Sequence, residues 1–303
     1  MQNIFSLKTG LLLLLLLGLS AAHLEAQKRG NRRSSPNAIR VKKKGNDPFE
    51  KAQWWIGFKS GASLTQAVPD ERYTPFSSTD NPDLTYYHKE YEDFKDWGAE
   101  AGLEITFFYG GFSASFQPAY RRHRFTYTND YQWFDAENDQ NTLLLRYTQD
   151  HKLDYLEFPL LFKYDFTRTA FRPSVFLGGY ISTLIEAQKT LTINGTDFAS
   201  GAQNEFVNEE IIVGARDLFI KSQVGLMGGI GLSYNVGNVR LALQGLYRYG
   251  LNNISDVKNR YVNNRLAGAG DALDDIKLRN ISITLSCLFP MRFLRTGSFR
   301  AVD

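Results

Sequence analysis

The sequence has a single cysteine, Cys287, and only nine prolines among its 303 residues. A small exported domain with too little core normally carries an even set of cysteines, so disulfides do not hold this chain together. Scarce proline and an aromatic content of 14% exclude a chain that is disordered throughout. The longest apolar run, at 11–17, is shorter than the ~17–20 residues that a spanning helix needs. These absences favour one large β-sheet domain.

The first residues have the pattern of a secretory signal peptide. Lys8 provides a charged start, the apolar run follows, and small residues precede Ala26. We therefore predict a cleaved signal peptide at 1–26 and export of the rest. No cysteine lies near the predicted cleavage site, which argues against a lipid anchor.

A basic segment follows, which we predict to be a flexible periplasmic leader at 27–50. Eight of its residues are basic and none of the residues at 28–46 is acidic. They are Lys28, Arg29, Arg32, Arg33, Arg40, Lys42, Lys43 and Lys44. The whole chain is +3, the leader is +8 and residues 1–27 are neutral, which leaves −5 for 47–303. Export excludes a nucleic-acid partner, and two interpretations stay open: a solvated leader, or an arm that contacts anionic lipid or an acidic periplasmic partner.

Strict alternation predicts β-strands in the rest of the chain. In "DYLEFPLLFKYDF", at 154–166, every second residue from Leu156 to Phe166 is apolar, whereas the residues between include charges and Pro159. We predict eight strands, at about 52–65, 96–109, 111–128, 152–166, 171–189, 218–235, 238–251 and 276–289. The strand at 171–189 alternates poorly, so its faces are not assigned.

The predicted connections alternate between short and long. Short turns lie at 109–111, 167–170 and 235–238, and long connections lie at about 66–95, 129–151, 190–217 and 252–275. This pattern is typical of outer-membrane barrels. We predict an all-β fold, an eight-stranded antiparallel up-and-down transmembrane β-barrel with a filled polar lumen at 51–290, and a periplasmic tail at 291–303.

The composition of the polar face indicates which side faces lipid. It is rich in glycine, serine and alanine, which suits the cramped interior of an eight-stranded barrel. Charges on that face would have to pair. We predict a structural lumen network of Lys59, Glu100, Glu104, Arg121, Glu157, Lys163, Asp165, Arg240 and Arg248. A soluble lipocalin-like barrel with an apolar cavity remains the alternative.

Aromatic residues fall where two membrane interfaces are expected. Trp54, Trp55, Tyr164, Phe166 and Tyr234 are predicted for the short-turn girdle. Trp97, Tyr127, Tyr247 and Tyr249 are predicted for the long-loop girdle.

The hairpin "LDYLEFPLLFKYDF" followed by "FRPSVFLGGYISTL", together with the opening "WWIGFKSGASLT", resembles the PorT-type outer-membrane β-barrel family, which is common in Bacteroidota. The resemblance implies an outer-membrane barrel. Its named member serves type IX secretion and gliding, and most members have no assigned role. The basic leader and the tail beyond Phe289 depart from the usual shape of the family.

The search for catalytic chemistry finds little. His88, His123 and His151 have no metal-ligand spacing, and "GLMGGIG", at 225–231, lies within a strand rather than before a helix. We predict neither cofactor nor metal. The expected function is a non-enzymatic scaffold or accessory subunit of an envelope machine, in contact with outer-membrane lipid and with protein partners through the leader and tail. The alternative is an outer-membrane hydrolase with His123 or His151 at the extracellular rim.

Overall fold

The computed structural model describes residues 52–73, 89–134, 142–198, 203–208, 210–261 and 272–291. Its strands are β1 (Gln53–Glu71), β2 (Lys89–Tyr91), β3 (Trp97–Tyr109), β4 (Phe112–Phe116), β5 (Ala119–Phe134), β6 (Thr142–Asp165), β7 (Phe171–Asp197), β8 (Asn204–Val207), β9 (Ile211–Gly214), β10 (Ser222–Val236), β11 (Val239–Gly250) and β12 (Asp275–Pro290). One short 3-10 helix spans Arg216–Leu218. Within these ranges no helix has the length and apolar character needed to cross a membrane.

The long strands close into an antiparallel ring. Its eight positions are occupied in turn by β1, by β3, by β4 and β5 together, and then by β6, β7, β10, β11 and β12. The ring is complete because β12 pairs with β1. Each member neighbours the next in sequence, and β4 and β5 together fill one position. The predicted eight-stranded up-and-down barrel is confirmed.

The third predicted strand, at 111–128, is interrupted. It divides into β4 and β5 at Gln117 and Pro118, because proline has no N–H to donate to the sheet. The gap faces Pro159 of β6, whose carbonyl accepts a hydrogen bond from the Gln117 N–H at 3.1 Å. Pro159 is buried on the lumen side, opposite the point where β4 ends and β5 begins.

The short turns lie together at one end of the barrel, which we call the turn side; the opposite end is the loop side. Gly110 and Gly237 have φ of 57° and 56°, a left-handed conformation that glycine adopts without steric cost. The first strand begins and the last strand ends on the turn side.

Two of the four predicted long connections, at 129–151 and 190–217, are largely strand, and the described residues of a third, at 66–95, are partly strand. β5 and β6 remain paired up to Phe134 opposite Thr142, so the predicted loop at 129–151 is wrong. β7 continues to Asp197, and β8 and β9 pair along its free edge within the predicted loop at 190–217. β1 extends to Glu71, and β2 joins β5. The barrel wall therefore rises on the loop side as a taller sheet, which we call the tall wall, in the order β2–β5–β6–β7 with β8 and β9.

Outward-facing side chains on the turn-side half of every ring strand are mainly apolar. On β6, Leu160 and Phe162 are 48% and 63% exposed, whereas the intervening Leu161 is fully buried. The other strands whose faces were assigned follow the predicted parity. β7 points Phe176, Tyr180 and Leu184 inward, so both of its faces are apolar, which explains why its sequence alternates poorly.

Candidate functional site

The middle of the lumen is occupied by five charged side chains, which we call the central ion cluster: Lys59, Glu100, Arg121, Glu157 and Arg248. All are buried, with Arg121 and Arg248 fully enclosed. Glu100 contacts three cations: Lys59 at 3.1 Å, Arg248 at 3.3 Å, and Arg121. Glu157 lies 3.2 Å from Arg248 and 3.5 Å from Arg121. Two carboxylates thus hold three cations together across the barrel.

Strand register brings these side chains together. Glu100 of β3 lies directly opposite Arg121 of β5. Glycines beside them leave the space that long side chains need: Gly61 faces Glu100, and Gly102 faces Lys59. A Cβ on Gly102 would lie 2.3 Å from the carbonyl oxygen of Pro118.

Two further ion pairs lie towards the turn side. Lys163 bonds Glu104 at 2.6 Å, and the hydroxyl of Ser286 donates to the same carboxylate at 2.8 Å. Arg172 lies 3.9 Å from Asp165. Arg172 was absent from the predicted network, although its position beside the outward Phe171 indicates an inward direction.

Arg240 differs from the prediction in its partners. Its Nε donates to Asn235 at 2.9 Å, and its guanidinium lies over the rings of Trp55 at 4.5 Å and Phe108 at 5.2 Å. Ring faces attract a guanidinium through their quadrupole. Arg240 is therefore held in the lumen by an amide and aromatic rings rather than by a carboxylate.

The glycine-rich run at 225–231 serves packing in the lumen. A Cβ on Gly225 would lie 2.4 Å from the Tyr180 ring, and one on Gly229 would lie 2.7 Å from the Phe176 ring. The inward aromatics of β7 thus fill the space that β10 leaves open. This supports the interpretation of the run as small-residue packing.

The loop-side end of the lumen is mainly apolar. A buried cluster there, which we call the loop-side plug, includes Ala67, Phe125, Tyr127, Leu153, Tyr155, Leu184, Ala187, Ala215, Leu218, Phe219, Ile254, Leu273, Ile276 and Leu278. Several members come from connections that fold over the opening, such as Phe219 and Ile254. One buried ion pair, Lys89 with Asp274 at 3.0 Å, lies beside the Tyr127 ring of the plug. The polar filling predicted for the lumen therefore predominates in its middle and on its turn side.

On β5 and β6 the direction of the charges reverses where the plug begins. Arg121 points inward, but Arg122 points outward and forms a bidentate pair with Asp154 at 2.7 and 2.8 Å. Arg124 pairs with Asp150 at 2.7 Å on the same outer face. The sequence contains this signal, because apolar residues move from even positions to odd positions as β5 passes Arg122.

Both described histidines are buried, so the rim position predicted for His123 and His151 is wrong. His123 Nδ1 lies 2.9 Å from the Asn280 side-chain oxygen. His151 is fully buried and stacks on Phe125 and Tyr127. His88 lies outside the described residues. No group of three or more His, Cys, Asp and Glu residues that could hold a metal occurs in the part of the chain that the structure describes.

The aromatic girdles are largely where they were predicted. Trp54 and Trp97 are 52% and 67% exposed on the outer surface. Two assignments were wrong: Trp55 is buried beneath Arg240, and Tyr127 belongs to the loop-side plug. Each lies one position out of phase with the outward row, which a strict period of two would have shown.

A family model described as "Outer membrane protein beta-barrel domain" matches residues 26–256. The chain belongs to this outer-membrane β-barrel family. Its location is the outer membrane, so the outward apolar band faces lipid, and the soluble alternative is discarded. On β1 this band runs from Trp54 to Leu64, ~34 Å along the strand, which a tilt of ~40° reduces to ~26 Å, close to the apolar height of such barrels.

No curated protein matches the chain. Among solved structures it is similar to Neisserial surface protein A, at 15% identity and a TM-score of 0.29, covering 78% of this chain and 98% of that one. It is also similar to Ail, the attachment invasion locus protein of Yersinia pestis, at 10% identity and 0.30, covering 78% and 99%. A third is the outer membrane protease OmpT of Escherichia coli, at 13% identity and 0.28, covering 79% and 95%.

The predicted signal peptide, the leader and all of the tail beyond Met291 lie outside the described residues. Their roles, including those of the eight basic residues, therefore remain predictions.

Proposed function

We propose that this outer-membrane barrel is a non-enzymatic scaffold or accessory subunit of an envelope machine for protein secretion, gliding or outer-membrane assembly. The lipid-embedded ring would anchor it, and segments outside the ring would make the contacts. The PorT-type group that its central hairpin resembles points to the same class of role.

The sealed middle of the lumen is the observation that carries the proposal. The central ion cluster fills the cross-section with side chains that are at most 3% exposed. The loop-side plug adds a second, apolar layer above it. An eight-stranded barrel has room for little more than its own side chains, so this interior favours a contact role over passage of a solute.

The buried histidines weigh against the alternative of a rim hydrolase. A general base has to come within hydrogen-bond reach of its substrate, directly or through one water. His151 lies among aromatic rings, and His123 is held by Asn280 beneath the plug.

The proposal can be tested by affinity purification from gently solubilised outer membrane. We expect the tagged protein to recover other envelope proteins in constant ratio. Neutralising the eight basic residues at 28–46 should remove those proteins if the leader is a contact arm. A leader with the same residues in shuffled order, which keeps the charge, is the matched control.

Recovery of the barrel alone, in several mild detergents, would overturn the proposal. The hydrolase alternative makes a separate prediction, because His123→Gln and His151→Gln would then abolish any envelope phenotype of the gene. The scaffold role predicts that both variants, once shown to be folded, retain it.

A further inference from the structure

The tall wall ends in an edge that no described residue covers. β8 and β9 follow one another along the free side of β7, above the point where β10 stops. Every residue of β8 is exposed, and so are three of the four in β9. We call the described residues of this stretch, at 204–208 and 210–214, the acidic edge.

The hydrogen-bond pattern shows which backbone groups point away from β7. The N–H of Asn208 bonds the Ile193 carbonyl, and the N–H of Ala215 bonds the Ala187 carbonyl. Because antiparallel partners alternate, the backbone groups of Glu205 and Val207 in β8, and of Ile212 and Gly214 in β9, face outward. Such a row is a template for another strand.

The side chains on this edge are apolar and acidic. Val207 and Ile212 are 70% and 57% exposed, and both point to the outer face of the wall. An open cleft of about 600 Å³ lies beside β8, bordered by Leu144, Gly195 and Phe206. The sequence at 203–214 has three glutamates and no basic residue.

We propose that the acidic edge binds an extended segment of an extracellular protein, in which apolar and basic residues alternate, by adding it to the sheet as a further strand. Backbone bonds would supply the affinity, and glutamates opposite lysine or arginine would select the charge. A second copy of the chain is disfavoured, because it would place glutamates beside glutamates. The edge lies at the loop-side end of the barrel, opposite the end where β1 begins and β12 ends. It can therefore bind such a segment whether or not the leader joins an envelope complex.

The test uses the full barrel folded in lipid nanodiscs and a synthetic octapeptide of alternating lysine and valine. We expect binding, with new hydrogen-exchange protection at the amides of Glu205, Val207 and Ile212. A glutamate–valine octapeptide is the charge control and should bind at least about tenfold more weakly. Equal binding of both peptides would overturn the proposal, as would binding without protection of these amides.

Variants of the edge distinguish binding through backbone hydrogen bonds from nonspecific hydrophobic binding. Val207→Pro with Ile212→Pro removes outward N–H groups without touching the bonds to β7, and such edge positions tolerate proline. We expect it to abolish peptide binding, whereas Val207→Thr with Ile212→Thr should retain it. Glu205→Lys with Glu210→Lys should reverse the preference towards the acidic peptide. A gel shift between boiled and unboiled samples verifies that each variant is folded.

Other occupants give different outcomes. If the chain covers its own edge, the three amides are protected before any peptide is added and the peptide does not bind. If a second copy occupies it, the nanodisc-embedded protein is a dimer that Val207→Pro with Ile212→Pro dissociates. Either result would overturn the proposal that the edge binds a segment of another protein.

Discussion

In the lipid-embedded half of the wall, β5 and β6 point their charges inward; in the loop-side half, the same strands point them outward. Arg121 and Glu157 lie in the central ion cluster, whereas Arg122 and Asp154 pair on the outer surface. The medium outside explains the difference. Lipid requires an apolar exterior, and water on the loop side allows the apolar face to turn inward.

The face of each strand that carries the apolar residues therefore changes at the membrane boundary, from the outer surface to the inner one. Along β5 the change falls between Tyr120, which is 40% exposed, and Phe125, which is buried. Opposite, on β6, it falls between Leu156 and Leu153. Four variants test this contrast, and the loss of stability expected from them decreases from the first to the last.

The largest effect is expected within the central ion cluster. Glu100→Gln would leave Glu157 as the only carboxylate of the cluster, paired with Arg121 and Arg248, and would remove the ion pair of Lys59. Breaking a buried ion network by removing one partner typically costs ~3–5 kcal/mol. Urea unfolding of the barrel in lipid vesicles measures this, and we expect a loss of that size.

A double variant shows whether charge is the cause. Arg121→Met added to Glu100→Gln removes a cation together with the anion and should recover part of the loss. If Glu100→Gln lowers the free energy of unfolding by under ~1 kcal/mol, charge balance does not stabilise the cluster.

The second variant tests the lipid face. Leu285 lies on β12 near mid-height, 55% exposed, between Ser60 and Leu243. Leu285→Arg should cost ~2–4 kcal/mol, because an arginine at the bilayer midplane is poorly solvated. Thr148→Arg, on the outer face of β6 above the boundary, is the matched control and should cost ~0–1 kcal/mol. Equal losses of unfolding free energy in the two variants would contradict a membrane boundary between Leu285 and Thr148.

The third variant tests the loop-side plug. Leu153→Ala removes a fully buried side chain and leaves a cavity, which should cost ~2 kcal/mol in the same unfolding experiment. Leu241→Ala removes a leucine from the lipid face, where acyl chains fill the space, and should cost less. If Leu241→Ala costs more than Leu153→Ala, the plug is not a packed core.

The sequence predicts the lipid-embedded half of the barrel better than the loop-side half. The ring, its strand order and the lumen positions of Lys59, Glu100 and Glu157 follow from a period of two combined with short and long connections. Lipid on one side and a crowded lumen on the other impose that pattern directly. The interruption at Pro118 was not predicted, because the apolar residues keep to even positions on both sides of it.

The loop-side half escaped prediction for a physical reason. There the described residues at 129–132 and 142–151 are mainly polar on the outer face, whereas Tyr131, Tyr147 and His151 lie on the inner face. This is the reverse of the pattern expected for a membrane strand. The plug also depends on connections folding back, as with Phe219 and Ile254, and no short-range pattern determines such contacts. His123 and His151 were consequently assigned to a rim, although both are buried against residues of the plug.

The smallest effect is expected for the outermost ion pair of the tall wall. Arg146 and Asp130 form two hydrogen bonds at 2.7 and 2.6 Å, yet their side chains are 61% and 56% exposed. Exposed pairs contribute only ~0.2–1 kcal/mol and are screened by salt. Asp130→Asn should therefore lower stability by that amount in dilute buffer and by less at 1 M salt, while the loss from Glu100→Gln, in its buried cluster, should persist. A salt-insensitive Asp130→Asn would place this pair in a low-dielectric environment and move the boundary between the two halves outward.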